Sequence, residues 1–345
     1  MKNPFVTNGY VSPEYFCDRE KETAKIVSLL TNENNIALIS PRRLGKTDLL
    51  RHCFGQPEIK EHYHTFIIDI YATSSVRDFV NVFGKAVLDE LRPKGKSVWG
   101  TFLNVLASLR SEITFDMNGQ PTWGIGLGAI TNPSATLDEI FSYLNNAGKP
   151  CLIAIDEFQQ ITKYADDPNI EAALRTHIQR CSNAHFVFSG SHRHLMGAMF
   201  TSPTRPFYQS VTLINLPPIS VDKYAEFCLK HFERASKLLD TLVVTELYER
   251  FNGITSYMQK VMNILFSMTG TGEICIPSMI DTAINDLLDF SADTYDALLY
   301  QMPEKQRIVF MAIAAEGKAK AISSGDFVRK YKLQSASSVS SAVKG

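Results

Sequence analysis

Three observations predict an α/β fold built on a parallel, doubly wound sheet with a helical domain behind it. Four short apolar runs, at 36–39, 65–70, 151–155 and 185–188, read as strands buried on both faces of a sheet. Helix-length sequence separates each run from the next, as the crossovers of a parallel sheet require. After Pro217-Pro218 the strand signal fades, and the remaining periodicity is helical.

Taken in order, Asp18 to Leu30 is an amphipathic helix, with Ile26, Leu29 and Leu30 on one face behind an acidic first turn. Ile36-Ala37-Leu38-Ile39 is the first strand, followed by a polar loop and by helical spacing from Asp48 to Phe54. Thr65 to Ile70 is the second strand, and Val76 to Leu91 a long helix. An alternating stretch from Ile113 to Leu127 surrounds Asn118-Gly119, a strong hairpin signal. It is expected to be a β-hairpin inserted before the third core strand, with Trp123 packed on the core or offered to a partner. Cys151 to Ile155 and His185 to Phe188 complete the strands.

Beyond the prolines, helices are expected at 224–238, 245–251, 256–268 and 277–300. A helix at 306–315, another at 324–331 and the Ser-rich start of a third suggest a helix-turn-helix, with no wing hairpin after it. The expected domains are an α/β core over 1–218 with the hairpin near 113–127, a helical lid over 219–302, and a partial winged-helix-like segment over 303–345. The unfinished third helix suggests a truncated chain.

Composition narrows the function. At 345 residues the chain exceeds what one core usually supports. A formal charge of −1 gives no global attraction to DNA or to an anionic membrane, so any nucleic-acid contact must be local. Six well-separated cysteines without a C-x-x-C pair read as buried thiols of a reducing compartment. No apolar run is long enough to span a bilayer and no signal peptide opens the chain, so the cytoplasm is the expected location and a membrane partner is not expected. His185, His192 and His194 lack the cysteine or acidic partners of a zinc site and read as surface histidines.

The chemistry sits at two places. Ser40-Pro41-Arg42-Arg43-Leu44-Gly45-Lys46-Thr47, followed by Asp48, lies between the first strand and a helix, the context of a phosphate loop. Backbone N–H groups of such a loop face a β-phosphate, Gly45 allows close approach, Lys46 bridges phosphate oxygens and Thr47 offers a hydroxyl to Mg2+. Ser40 stands where the usual pattern has its first glycine. A solvent-facing basic turn is the plain alternative.

At the C-terminal end of the third strand, Leu152 to Ile155 leads into Asp156-Glu157, which resembles a Walker B motif. Asp156 would hold the metal and Glu157 would orient or deprotonate an attacking water. Taken alone, the pair reads better as a cap on the following helix. Its distance from the loop, with one strand between, fits a sheet in which the two motif-bearing strands are neighbours.

These segments resemble the AAA+ ATPases, and among them the archaeal-type ATPases related to the STAND group of signal-transduction ATPases with numerous domains. The resemblance rests on 40–50, on Leu-Ile-Ala-Ile-Asp-Glu-Phe-Gln at 152–159, and on Phe-Val-Phe-Ser-Gly-Ser-His-Arg-His-Leu-Met at 186–196. Phe-Cys-Asp-Arg-Glu-Lys-Glu at 16–22 and Phe-Asn-Gly-Ile-Thr-Ser-Tyr-Met-Gln at 251–259 add to it. It implies ATP and Mg2+ as ligands, 16–22 near the adenine, 251–259 in a lid over the base, and Ser189 or Ser191 as sensor 1. Thr255 replaces a proline common in relatives. The resemblance also implies an arginine finger, for which Arg193 is preferred over Arg175 and Arg205.

The expected function is a slow, Mg2+-dependent ATPase acting as a switch or motor, with nucleotide state moving the lid and the C-terminal domain. A nucleotide-regulated DNA binder using the helix-turn-helix is the alternative, encouraged by the basic residues of the last segment. A scaffold with a non-hydrolysing site is a third. A protein or effector-domain partner and oligomerisation are both compatible with these readings.

Overall fold

The computed structural model describes residues 2–91, 113–115, 121–123, 130, 132–317 and 319–344. The chain divides into two compact units, 1–277 and 278–345. The first carries α1 (Glu20–Thr31), β1 (Ile36–Ile39), α2 (Lys46–Phe54), α3 (Pro57–Lys60), β2 (His64–Asp69) and α4 (Val76–Glu90), then β3 (Ile113–Phe115) and β4 (Pro121–Trp123). It continues with α5 (Pro133–Asn145), β5 (Cys151–Asp156), α6 (Ile170–Arg180), β6 (Ala184–Gly190), α7 (Arg193–Thr201) and β7 (Thr212–Asn215). Its last elements are α8 (Val221–Arg234), β8 (Leu238–Leu239), α9 (Thr241–Phe251), α10 (Thr255–Met268) and β9 (Ile274–Cys275).

Strands pair in the order β2-β5-β6-β1-β7, and every pairing is parallel. Alternation along each strand splits the core into two layers. Ile36, Leu38, Leu152 and Ala154 pack with α1 and α2 residues such as Ile26, Leu30, Leu49 and Leu50. Ala37, Ile39, Ile153 and Ile155 face the opposite side, where Phe79, Phe83, Ile140, Leu174 and Met199 cover them. Both faces are therefore covered, the arrangement anticipated from the unbroken apolar runs.

Two features depart from the sequence expectation. The strands bearing the phosphate loop and the acidic pair are not neighbours: β6 lies between β1 and β5, with Ala37 opposite Phe188 and Ala154 opposite Val187. Chain separation does not encode lateral order, because each crossover helix may return the chain on either side. The second is β7, a strand not expected from the sequence although Val211-Thr212-Leu213-Ile214 is a short β-prone run. It is an edge strand along β1, and only Ile214 of its four residues is buried, so it lacks the long unbroken apolar run of the central strands.

Ile113↔Trp123 and Phe115↔Pro121 pair antiparallel, as a hairpin requires. The Asn118-Gly119 turn, the stretch to Leu127 and the packing of Trp123 lie outside the described residues. All six cysteines are free and buried. No helix among the described residues is long and apolar enough to cross a membrane.

The second unit consists of α11 (Ile280–Gln301), α12 (Glu304–Glu316), α13 (Gly325–Lys330) and α14 (Ala336–Lys344). The Ser324 hydroxyl caps α13 by accepting from Phe327 N–H at 3.2 Å. Val309, Ala312, Phe327 and Val339 are buried.

Candidate active site

At the C-terminal edge of the sheet, the loop from Ser40 to Gly45 turns β1 into α2. Two loop residues need left-handed backbone, Arg43 at φ 69° and Gly45 at φ 83°. A Cβ on Gly45 would meet nothing within 4 Å, so it is the backbone conformation and not crowding by protein that calls for glycine there. Ser40 is not among the positive-φ residues. It is fully buried, its N–H donates to the Gly190 carbonyl at 3.3 Å and its hydroxyl to the Pro41 carbonyl at 3.0 Å. The departure from the usual first glycine is accommodated because this backbone does not need glycine's freedom at that position.

Lys46 opens α2 and is 7% exposed. Its Nζ donates to the carbonyls of Ser40 at 3.1 Å and Pro41 at 3.3 Å. Burial pulls its pKa below the ordinary lysine value, against the opposing influence of Asp156 and Glu157. Thr47, the next residue, donates its hydroxyl to Asp156 Oδ2 at 2.6 Å. This contact spans the intervening strand because Thr47 lies on the helix that crosses the sheet edge. From β1 itself a side chain would face two strand spacings of about 4.8 Å each.

Asp156 closes β5 and is buried at 8% exposure. Glu157 follows in left-handed conformation, φ 56°, ψ 39°. A non-glycine residue there costs on the order of 1–3 kcal/mol and needs surrounding structure to hold it. Phe158 provides it: fully buried, it packs 4.4 Å from the Phe188 ring, with Phe200 and Phe207 around it. The Glu157 carboxylate accepts at Oε2 from Ser191 Oγ at 2.8 Å and from Gln159 Nε2. Its Oε1 lies 3.9 Å from Arg42 Nε.

Arg42, Arg43, Leu44, Gly45, Lys46, Thr47, Asp48, Asp156 and Glu157 all line one cavity of about 330 Å³. Apolar and aromatic side chains, Val6, Tyr10, Val11, Phe16 and Ile219, also line it, together with Cys17, Arg19, Thr255, Ser256 and Gln259. Both the 16–22 and 251–259 segments thus contribute to the cavity that the phosphate loop borders. Arg19, only 3% exposed, joins Glu22 at 2.9 Å and the Pro217 carbonyl at 2.7 Å, anchoring the first of these segments. Val6, Thr7, Gly9, Tyr10 and Val11 went unmarked in the sequence, because they have no periodicity and only their position just upstream of Phe16 could have flagged them.

The two sensor candidates diverge. Ser189 is fully buried and its hydroxyl has no partner among the described residues, whereas Ser191 reaches Glu157. Arg193 opens α7 on the surface and is not among the residues lining the cavity. Arg205 is tied to Glu171, and Arg175 borders a separate cavity with Phe188 and Phe207. Among the described residues, the arginines lining the main cavity are Arg42 and Arg43 of the loop and Arg19. Of the three histidines, His192 and His194 are exposed and His185 is half-buried. Burial holds the His185 pKa below the ordinary histidine value.

A five-stranded parallel sheet with a phosphate loop after β1, an acidic pair at the end of β5 two strands away, and one cavity lined by both defines a P-loop ATPase of the AAA+ type. Residues 16–261 match the family described as an ATPase domain predominantly from Archaea, and the chain belongs to that family. Residues 293–345 match a probable winged helix domain. No curated protein matches the chain. Among solved structures, a Walker-type ATPase of Pyrococcus abyssi is similar at 18% identity and TM-score 0.61, over 99% of this chain and 88% of that one. The Aeropyrum pernix ORC2 protein in ADPNP-ADP complexes is similar at 14% identity and TM-score 0.59, over 96% and 82%. The Aeropyrum pernix ORC1 protein in complex with DNA has 14% identity and TM-score 0.57, over 96% and 83%. At these identities the structural likeness establishes the fold. The family match carries the archaeal-type part of the resemblance and does not bear on the STAND part.

Proposed function

We propose that the protein binds ATP with Mg2+ in this cavity, hydrolyses it slowly, and couples nucleotide state to the helical lid. The observation that carries the reading is the 2.6 Å contact between Thr47 and Asp156, 109 residues apart, in the lining of a cavity that Lys46 and Glu157 also line. A threonine hydroxyl beside a buried carboxylate is a hard-oxygen donor set, and it suits Mg2+, which takes few protein ligands together with phosphate oxygens. Mg2+ would supply neutralisation of charge on the β- and γ-phosphate oxygens.

The chain's own groups do the rest. N–H groups at the start of α2 and the Lys46 ammonium hold the phosphates. The apolar and aromatic part of the lining, Val6, Tyr10, Val11, Phe16 and Ile219, takes the base. Glu157 draws the proton from the attacking water, and Ser191, which already contacts it, fills the sensor role in preference to Ser189. Lid coupling is supported by direct contacts between loop and lid helix. The Arg43 carbonyl accepts from Ser256 N–H at 3.2 Å, and the Arg43 guanidinium both bonds the Tyr257 hydroxyl and lies over its ring.

Calorimetric titration tests the metal part. ATP is expected to bind the wild-type protein more tightly with Mg2+ than with EDTA. Asp156→Asn and Thr47→Ala are expected to weaken binding on the order of 10- to 100-fold in Mg2+ and little in EDTA. Equal losses in both buffers would remove the metal assignment.

A second reading, DNA binding through the C-terminal unit, is favoured by the winged-helix match and by charge: residues 303–345 hold eight Lys and Arg against three acidic residues. Fluorescence anisotropy with a DNA duplex is expected to give affinity that falls steeply with salt. Absence of binding at low salt would dismiss this reading.

A further inference from the structure

We propose that Gln159 is the positioning residue for hydrolysis: by donating to Glu157 Oε2 alongside Ser191, it occupies that oxygen and leaves Oε1 as the proton acceptor. The inference rests on the hydrolytic reading above and assigns a role to a side chain outside the cavity lining.

The geometry begins with burial. Gln159 lies in the 3-10 turn Phe158–Lys163 and is only 3% exposed. Its amide orientation is dictated by its neighbour, because an ionised carboxylate can only accept and the NH2 must face it. Turned this way, Gln159 leaves its own Oε1 buried without a hydrogen-bond partner among the described residues. A side chain serving only to fill space would do so better as an apolar residue, since an orphaned buried acceptor is disfavoured. What the amide gains is the contact with Glu157.

Gly190 makes room for that contact. A Cβ at Gly190 would come within 2.5 Å of Met196 Sδ and 2.6 Å of its Cγ, and still nearer to Gln159 Oε1. Met196 is fully buried and has little space to yield. The Ser-Gly-Ser sequence at 189–191 therefore has two uses here: its glycine admits Gln159, and its last serine supplies the second donor to the same carboxylate oxygen.

With Oε2 held by two fixed donors, the carboxylate cannot rotate without losing both. Oε1 lies 3.9 Å from Arg42 Nε, and Glu157 and Arg42 both line the cavity. In the proposed step the water O–H bond breaks and its proton passes to Oε1. The water oxygen forms a bond to the γ-phosphorus, and the bond from that phosphorus to the bridging oxygen breaks, its electron pair leaving with ADP.

Two near-isosteric variants of the full chain test the role. Gln159→Met keeps the volume and removes the donor. It is expected to lower kcat on the order of 10²-fold while KM and the nucleotide Kd stay within about twofold. Gln159→Glu sets a second carboxylate against Glu157 at neutral pH and is expected to lose activity at least as severely. Its kcat should recover as pH falls toward 5.5, relative to wild type, because the introduced acid regains a proton to donate once the two carboxyls share one. Simple packing predicts no such recovery. Wild-type kcat in Gln159→Met, or a Gln159→Glu deficit that stays constant with pH, would overturn the assignment. Either result, combined with an inactive Glu157→Gln protein, would leave the hydrolytic reading standing. Should Gln159→Met fold poorly, the pH response of Gln159→Glu decides the matter.

Discussion

Lys46→Ala is expected to abolish measurable ATP binding at concentrations that saturate the wild-type protein. The ammonium is buried at the base of the loop, and its carbonyl partners at Ser40 and Pro41 hold it beside the N-terminus of α2. Removing one member of a buried, hydrogen-bonded charge pair costs roughly 2–5 kcal/mol. That is about 30-fold to 4,000-fold in affinity. Folding should suffer little, because burial already disfavours this charge and the Ala side chain leaves the helix start intact. Isothermal titration with Mg2+ and ATP, together with a melting curve, checks both halves. An unchanged dissociation constant would contradict the phosphate assignment, and with it the site.

Glu157→Gln should behave in the opposite manner, with nucleotide held as tightly as in the wild type and turnover reduced by about 10²- to 10⁴-fold. The reason is specific to this carboxylate. Ser191 Oγ and Gln159 Nε2 both donate to Oε2, so the carbonyl of the introduced amide takes that place and its NH2 turns toward Oε1's position. An amide nitrogen there offers no acceptor to the water, while shape and volume are unchanged. Single-turnover hydrolysis of ATP, measured after binding is verified, separates the two effects. Wild-type turnover in this variant would rule out Glu157 as the base and require another group to take the proton.

Much of the molecule was legible before any coordinates. The runs at 36–39 and 151–155 became β1 and β5 because unbroken apolar stretches have few places to go except between two helix layers. The phosphate loop was legible because its residue types are demanded by backbone conformation and ligand charge, both local properties. The acidic pair was legible as a strand-end feature.

What sequence left open depends on distance through space. Nothing local ranks Ser189 against Ser191, since alternation along a strand depends on where that strand ends. One is buried beneath the sheet edge and the other touches Glu157. Arg193, Arg175 and Arg205 could not be distinguished by spacing, yet Arg205 is bound to Glu171 and Arg42 faces the cavity instead. Gln159 looked like one more polar residue after the acidic pair, and its meaning appears only with Gly190 at the end of β6 and Ser191 just beyond it.

The sequence alone determined that this chain would form a parallel α/β sheet and carry a phosphate loop and an acidic strand end, because periodicity, turn chemistry and residue type act over a few residues. Tertiary structure decided that β6 would separate the two motif-bearing strands, that Thr47 would nevertheless reach Asp156, and that one oxygen of Glu157 would be held by two donors. Those outcomes depend on the lateral order of strands and on which side chains converge at the sheet edge, and packing of the whole core settles both.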